Sequence, residues 1–422
     1  MPETMSTTLL RHAGERLLSL ALLLSLTLGL SACGGGATAT PTDLTNPVAV
    51  ALAATNDRVD LGQQIFNDAN LSEPRGTACA ACHQTTMGFA GNHGGRNGVA
   101  VGSLPGSIGS RNAMTNSYLG LIPVPLSFVT TDGVTEAVGG LFWDGRGDSA
   151  ELQALGPLLN PLEMNNPIRR SVVDKIAQSR YAAQFRQVFG ADIFANTDAA
   201  FTSIGLAIAA FERARLQPFS SKYDAMVRGQ ATLSPTEARG MALFADPAKG
   251  NCAGCHLMNP TSGNPEESPF SEFSYYATGI PRNPAIPKNA DPAFYDLGLC
   301  GPDRTPPTQP SGVAPEVTIS HFCGQFRMPT LRNVAQRPAF MHNGFFKNLT
   351  EVVRFYSTRN SDPIRWYGQA VSNDLPAQYL GNIEVVKAPF NRPANAGPAL
   401  TDAEIADIVA FLRTLSDAPV AP

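Results

Sequence analysis

Two pentapeptides repeat one pattern: Cys79-Ala-Ala-Cys82-His83 and Cys252-Ala-Gly-Cys255-His256 each place two thiols three positions apart with an imidazole directly after. Thiols at that spacing can form thioethers to the two vinyl groups of a porphyrin, and the adjacent His can reach the iron from the proximal side. This is the attachment chemistry of c-type haem. One copy could equally be a zinc or redox CxxC followed by an unrelated His, but two copies in one exported chain make that reading remote. The pattern predicts two covalently bound c-type haems, with His83 on iron 1 and His256 on iron 2.

Three cysteines remain. Arg11 and Arg16 precede an unbroken apolar run from Leu17 to Leu30, which is short for a bilayer span but has the length of a signal-peptide core. Leu30-Ser31-Ala32-Cys33 follows, and this run resembles the lipobox of bacterial lipoproteins, in which the Cys becomes the lipidated first residue. The alternative is an ordinary signal cleaved near Ala32. Residues 1–33 are therefore expected to be a lipoprotein signal peptide and residues 34–56, small, polar and Pro-containing, a flexible tether. The mature protein is expected on the periplasmic side of the cell envelope, lipid-anchored at the outer membrane. In that oxidising compartment Cys300 and Cys323 are expected to pair and close a Pro-rich loop, the alternative being two free thiols.

The elements that must hold these groups are mostly helical. At 422 residues the chain has room for two domains of about 150–200 residues. Its formal charge of −4 leaves no basic footprint for nucleic acid, and 38 glycines with 34 prolines predict long irregular loops. Gly62 and Phe66 precede the first CxxCH, and Gly240 and Phe244 precede the second, at the same internal spacing. Ser234, Pro235 and Glu237 mark a helix start, as do Thr401 and Glu404, after which Ile405, Ile408, Val409, Leu412 and Leu415 share one face. Phe201, Ile204, Ile208 and Phe211 mark another amphipathic helix, while alternating strand patterns are scarce. The expected fold is mostly α, two tandem cytochrome-c-like haem domains at 57–225 and 226–420 joined by long Gly/Pro-rich loops.

The segment Leu141 to Met164, LFWDGRGDSAELQALGPLLNPLEM, together with FRMPTLRN at 326–333 and MHNG at 341–344, resembles the bacterial di-haem cytochrome c peroxidase and MauG family across nearly all of the mature chain. That resemblance implies that the first domain is peroxidatic and the second transfers electrons. It implies that Trp143 lies between the haems, and that Gln153, Pro157 and Glu163 stand over the open face of the first. Elementary chemistry agrees with those roles. Splitting peroxide heterolytically moves a proton from one oxygen to the other, and a carboxylate such as Glu163 can carry it. The Gln153 amide can hydrogen-bond peroxide without adding charge, and Pro157 shapes the pocket without offering a donor. Against this stand a solvated helix-end carboxylate at 163 and an ordinary core indole at 143.

The resemblance also implies a sixth ligand for iron 2 fourteen residues beyond His342, which is Tyr356. Peroxidases of the family usually carry Met there, and MauG carries Tyr. A phenolate donates charge and favours the more oxidised iron. The alternative is a packing tyrosine, with Met328, Met341 or His321 as ligand. His93 is the one His available as a resting ligand of iron 1, or else a solvated loop residue. Asn112 in SRNAMTN matches the side-chain ligand of an interdomain calcium ion, with backbone carbonyls near Arg337 and Ala339 completing it.

The expected function is an exported cytochrome c peroxidase-like enzyme that reduces hydrogen peroxide with electrons from a small cytochrome c or copper protein. The alternatives are a MauG-type enzyme that oxidises aromatic residues of a partner protein, and a non-catalytic electron carrier. The cofactor content is directly measurable: intact-mass analysis of mature protein is expected to show two covalent haems, and one or none would contradict the reading of both pentapeptides.

Overall fold

In each half two long helices cross at a glycine, and this contact organises the chain. The computed structural model describes residues 47–418 except 96 and 395. The signal peptide, Cys33 and the tether up to residue 46 lie outside the described residues. Those described comprise eleven α-helices: α1 (Pro47–Phe66), α2 (Cys79–Cys82), α3 (Ala150–Leu159), α4 (Arg169–Ala177), α5 (Ala182–Phe189), α6 (Thr197–Arg215), α7 (Lys222–Val227), α8 (Pro235–Ala245), α9 (Leu349–Thr358), α10 (Pro363–Tyr367) and α11 (Asp402–Arg413). Four short strands accompany them: β1 (Ser127–Thr131), β2 (Val134–Val138), β3 (Tyr275–Tyr276) and β4 (Phe326–Arg327). The fold is mostly helical, as the sequence predicts.

A Cβ added to Gly62 of α1 would lie 1.9 Å from the Ala207 carbonyl oxygen of α6, and one added to Gly240 of α8 would lie 2.0 Å from that of Asp407 in α11. One turn on, Phe66 packs on Phe211 and Phe244 on Phe411, both pairs with ring centroids 5.3 Å apart. The repeated Gly-x-x-x-Phe is thus a repeated packing motif: glycine brings two backbones together and phenylalanine fills the space beside the crossing. Capping boxes at Ser234 with Glu237 and at Thr401 with Glu404 begin α8 and α11 where the sequence predicts.

Two buried cores result. Leu61, Leu158, Ile176, Phe185, Ile204 and Ile208 belong to the first, and Tyr223, Phe244, Phe270, Phe355, Ile408 and Phe411 to the second. From Val50 onward the chain clusters as one compact unit. Strands β1 and β2 form a hairpin about Asp132-Gly133, whose φ values of 51° and 80° suit a two-residue primed turn. Strand β4 pairs with β3 and carries Arg327. Cys300 and Cys323 form a disulfide with Cα atoms 5.1 Å apart.

Two expected boundaries move. Helix α1 begins at Pro47, so the last ten residues assigned to the tether are helical. Proline at the first helical position and the Ala-rich run after it account for this. The boundary expected at 225/226 falls inside α7, which Ser221 and Asp224 start with a capping box. Tyr223 and Val227 already belong to the second core, while Leu216 belongs to the first, so the chain passes between them over residues 217–222.

The crossing is testable. Gly240→Ala places a methyl group against backbone, and the denaturation midpoint is expected to fall by the equivalent of about 1–3 kcal/mol. An unchanged midpoint would show that α8 and α11 can separate without cost.

Candidate active site

Each CxxCH folds as one tight turn. His83 N–H donates to Cys79 O at 2.9 Å, and His256 N–H to Cys252 O at 2.7 Å, so both sulfurs and the imidazole gather at one turn. Nδ1 of His83 donates to Phe89 O and Nδ1 of His256 to Phe270 O, each at 2.9 Å. A carbonyl can only accept, so Nδ1 carries the proton and Nε2 keeps its lone pair. Burial pushes both imidazoles below their ordinary value, His256 to about 4, which holds them neutral as a metal requires. Burial also pushes the thiols of Cys79, Cys82 and Cys252 up to about 12 and that of Cys255 to about 11. Neutral, desolvated thiols suit uncharged thioethers and oppose a thiolate zinc site. Among the described residues no cluster of three His, Cys, Asp or Glu could hold a bare metal ion. The residues fit covalent haem.

A cavity of about 380 Å³ opens on Cys79, Cys82 and His83. Helix α3, capped by Ser149, contributes Gln153 and Pro157, which lie one turn apart on the same face. Glu163 enters from the turn after α3, where its N–H donates to Asn160 O at 3.0 Å and its carbonyl accepts from Ser103 N–H at 2.7 Å. Burial pushes the Glu163 carboxyl up to about 7, with Arg146 acting in the opposite direction. Gln153, Pro157, Glu163 and His83 therefore share one cavity. His93 does not line it; its Nδ1 sits 3.0 Å from Val101 O.

A second cavity, about 180 Å³, is lined by Cys252, Cys255 and His256 and by Tyr356 from α9. The Tyr356 ring stacks on Phe390 at 5.0 Å, and its hydroxyl makes no hydrogen bond to any described residue. Burial holds that phenol protonated while no ligand partner is present. Met328 and Met341 also line this cavity, whereas His321 lies outside it in a surface turn with Thr318.

Trp143, Asn112 and Arg327 line both cavities. The Trp143 indole N–H donates to Asn112 O at 2.8 Å, and Trp143 O accepts from Arg327 N–H at 2.8 Å. The next residue, Asp144, is fully buried and takes both Arg111 and Arg146, while Arg111 also grips Asp296 through two nitrogens. These pairs fix the loop that presents the indole.

The Asn112 amide does not fit the calcium role that the resemblance implies. Ala113 N–H donates to Asn92 Oδ1, which fixes that amide, so Asn92 Nδ2 faces Asn112 Oδ1 at 2.8 Å. Asn112 Nδ2 then points at Ala339 O and Met341 O, both at 3.1 Å. Its oxygen is turned away from the carbonyls that a calcium ion would share with it.

Sequence reasoning missed Arg327 and Arg337, which line the cavities, and Glu212, which lines the first with one carboxylate oxygen unpartnered. Arg327 lies in FRMPTLRN, so the motif held the signal. Glu212 is one residue beyond the apolar stripe of α6, where a charge ordinarily faces water.

The sequence profile of the family "Di-haem cytochrome c peroxidase" matches residues 56–232. The chain is 32% identical to the methylamine utilization protein MauG of Paracoccus denitrificans, over 95% of this chain and 96% of that protein. It is 26% identical to the cytochrome c551 peroxidase of Nitrosomonas europaea, over 93% and 90% respectively. The crystal structure of the di-haem peroxidase BthA from Burkholderia thailandensis superposes with a TM-score of 0.77 at 39% identity, covering 86% of each chain. With two haem-attachment turns opening on two adjoining cavities, the chain belongs to the di-haem cytochrome c peroxidase and MauG family, a family of haem peroxidases that carry two c-type haems.

Proposed function

We propose that this protein is an exported, lipid-anchored di-haem peroxidase in which the half built on the first core cleaves hydrogen peroxide and the half built on the second supplies electrons through Trp143. The observation that carries the reading is the convergence of Gln153, Pro157 and Glu163 with His83 on one cavity, whose wall toward the second cavity is Trp143.

Bound haem supplies the iron that accepts peroxide and the electrons that split it. Reduction to two waters takes two electrons and two protons, and the chain must manage the protons. A carboxyl held near 7 is poised both to accept one from the proximal peroxide oxygen and to donate it to the distal one at neutral pH. Gln153 orients the peroxide with a neutral amide. Pro157 shapes the pocket wall with an apolar ring that offers no donor. The Trp143 indole is held by its own N–H, so its plane is fixed between the two cavities. A non-catalytic carrier would have no use for this cluster.

Tyr356 favours a second reading within the same chemistry. Tyr356 lines the second cavity, where it would give the second iron a phenolate ligand, and that placement with the similarity to MauG supports an enzyme that directs its oxidising power at an aromatic side chain of a partner protein. The first reading takes a small cytochrome or copper protein as donor instead.

Glu163→Gln keeps the shape and removes the proton carrier. Stopped-flow peroxide cleavage is expected to slow by on the order of 10² with two haems retained, and the inflection near pH 7 in the rate profile to vanish. Wild-type rates and an unchanged profile would return Glu163 to a structural role.

A further inference from the structure

Arginines withdrawn from water in this chain are satisfied in one of two ways, by a carboxylate or by an acceptor for each nitrogen. Arg111 has Asp144 and Asp296, Arg282 has Asp374, and Arg332, fully buried, has the fully buried Asp224. Arg359 has no carboxylate, but each of its three nitrogens has an acceptor, on Thr278, Glu384 and Asn360. Two arginines break the pattern, and both line the cavities.

Arg327 is 3% exposed and lines both cavities. Its Nε donates to Phe142 O at 3.2 Å, its Nη2 lies 3.5 Å from the Met114 sulfur, and no ion pair to a described residue neutralises it. Arg337 lines the second cavity alone. Its Nη2 reaches Thr330 O at 3.0 Å, while its Nε is buried without any partner. A guanidinium offers five N–H donors, and leaving a buried one without an anion is strongly unfavourable. Burial accordingly pushes both guanidiniums below their ordinary value.

The anions that would complete these sites are carboxylates not contributed by the protein. We propose that Arg327 and Arg337 are counter-ions for haem propionates, that Arg327 serves propionates of both haems, and that Arg337 serves the second haem only. This rests on the reading that each cavity holds one haem. The asymmetry follows from which cavity each side chain lines. A shared cation acts on both centres: its charge favours the ferrous over the ferric state of each iron. Trp143 and Arg327, joined by a backbone hydrogen bond, then form an electronic and an electrostatic link through the same wall.

The test is a spectroelectrochemical titration of the holoprotein in the absence of peroxide. A nearby cation stabilises ferrous over ferric iron, so removing it lowers the midpoint. Arg327→Met is expected to lower both midpoints, Arg337→Met only that of the second haem, and the Lys variant at either position to restore most of the shift. Midpoints that stay at wild-type values in protein with two haems would overturn the proposal, as would an Arg327→Met shift confined to one haem or an Arg337→Met shift shared by both. If Arg327→Met does not accumulate, Arg327→Lys retains the charge and alters the hydrogen bonds. The propionate bending bands of both haems are then expected to move in resonance Raman spectra, and unmoved bands would overturn the proposal. Wild-type protein without covalent haem would instead refute the underlying reading.

Discussion

Asn112 joins three stretches of chain, around residues 92, 143 and 339–341, and the relation between the two cavities depends on it. Its oxygen takes the Asn92 amide from the loop after the first haem-attachment turn, and its nitrogen donates to Ala339 and Met341 ahead of His342. Its own carbonyl holds the Trp143 indole. A buried amide with every polar atom satisfied has one orientation, and any shift of one segment leaves a partner unpaired at a cost of about 1–3 kcal/mol. The indole is therefore placed by two loops at once, one from each half, and the wall between the cavities is a rigid part of the fold.

Charge is handled differently in the loop that presents the indole and inside the cavities it separates. Around Asp144 the chain balances its own charges, with arginines on a fully buried carboxylate. Inside the cavities it leaves Arg327 and Arg337 unbalanced and pushes Glu163 upward, a pattern that only makes energetic sense if the site is completed from outside. The neutral state of the thiols and imidazoles fits the same picture, since covalent thioethers and an iron bond are what these groups lack.

Much of this was legible in the sequence, for reasons that differ by element. The haem-attachment turns are short-range chemistry, so spacing alone revealed them. Helices α8 and α11 announce themselves through capping boxes, and the Gly-x-x-x-Phe repeat marks their crossing because only glycine allows that approach. Helix α7 has an equally clear cap at Ser221 but only six residues, too few for a periodic pattern. The Asp132-Gly133 hairpin signal was present, yet β1 is largely exposed and neither strand shows much alternation. Gln153, Pro157 and Glu163 are marked by motif offsets, and helix α3 explains the first two as neighbours on one face. Arg337 carries no signal in the sequence because the cavity it lines is assembled from distant loops. Asn112 was read as a metal ligand because sequence shows the amide but not which end faces the carbonyls, a choice that Asn92 and Ala113 make.

One stopped-flow experiment bears most directly on whether the two cavities act as a unit. Fully oxidised protein, with no prior reduction, is mixed with one equivalent of hydrogen peroxide while the absorption bands of both haems are followed. If Tyr356 ligates the second iron and Trp143 connects it to the first, the bands of both haems change with a single rate constant. Protein that is inert until half-reduced, or that changes only at the first haem, would contradict this and return Tyr356 and Trp143 to packing roles.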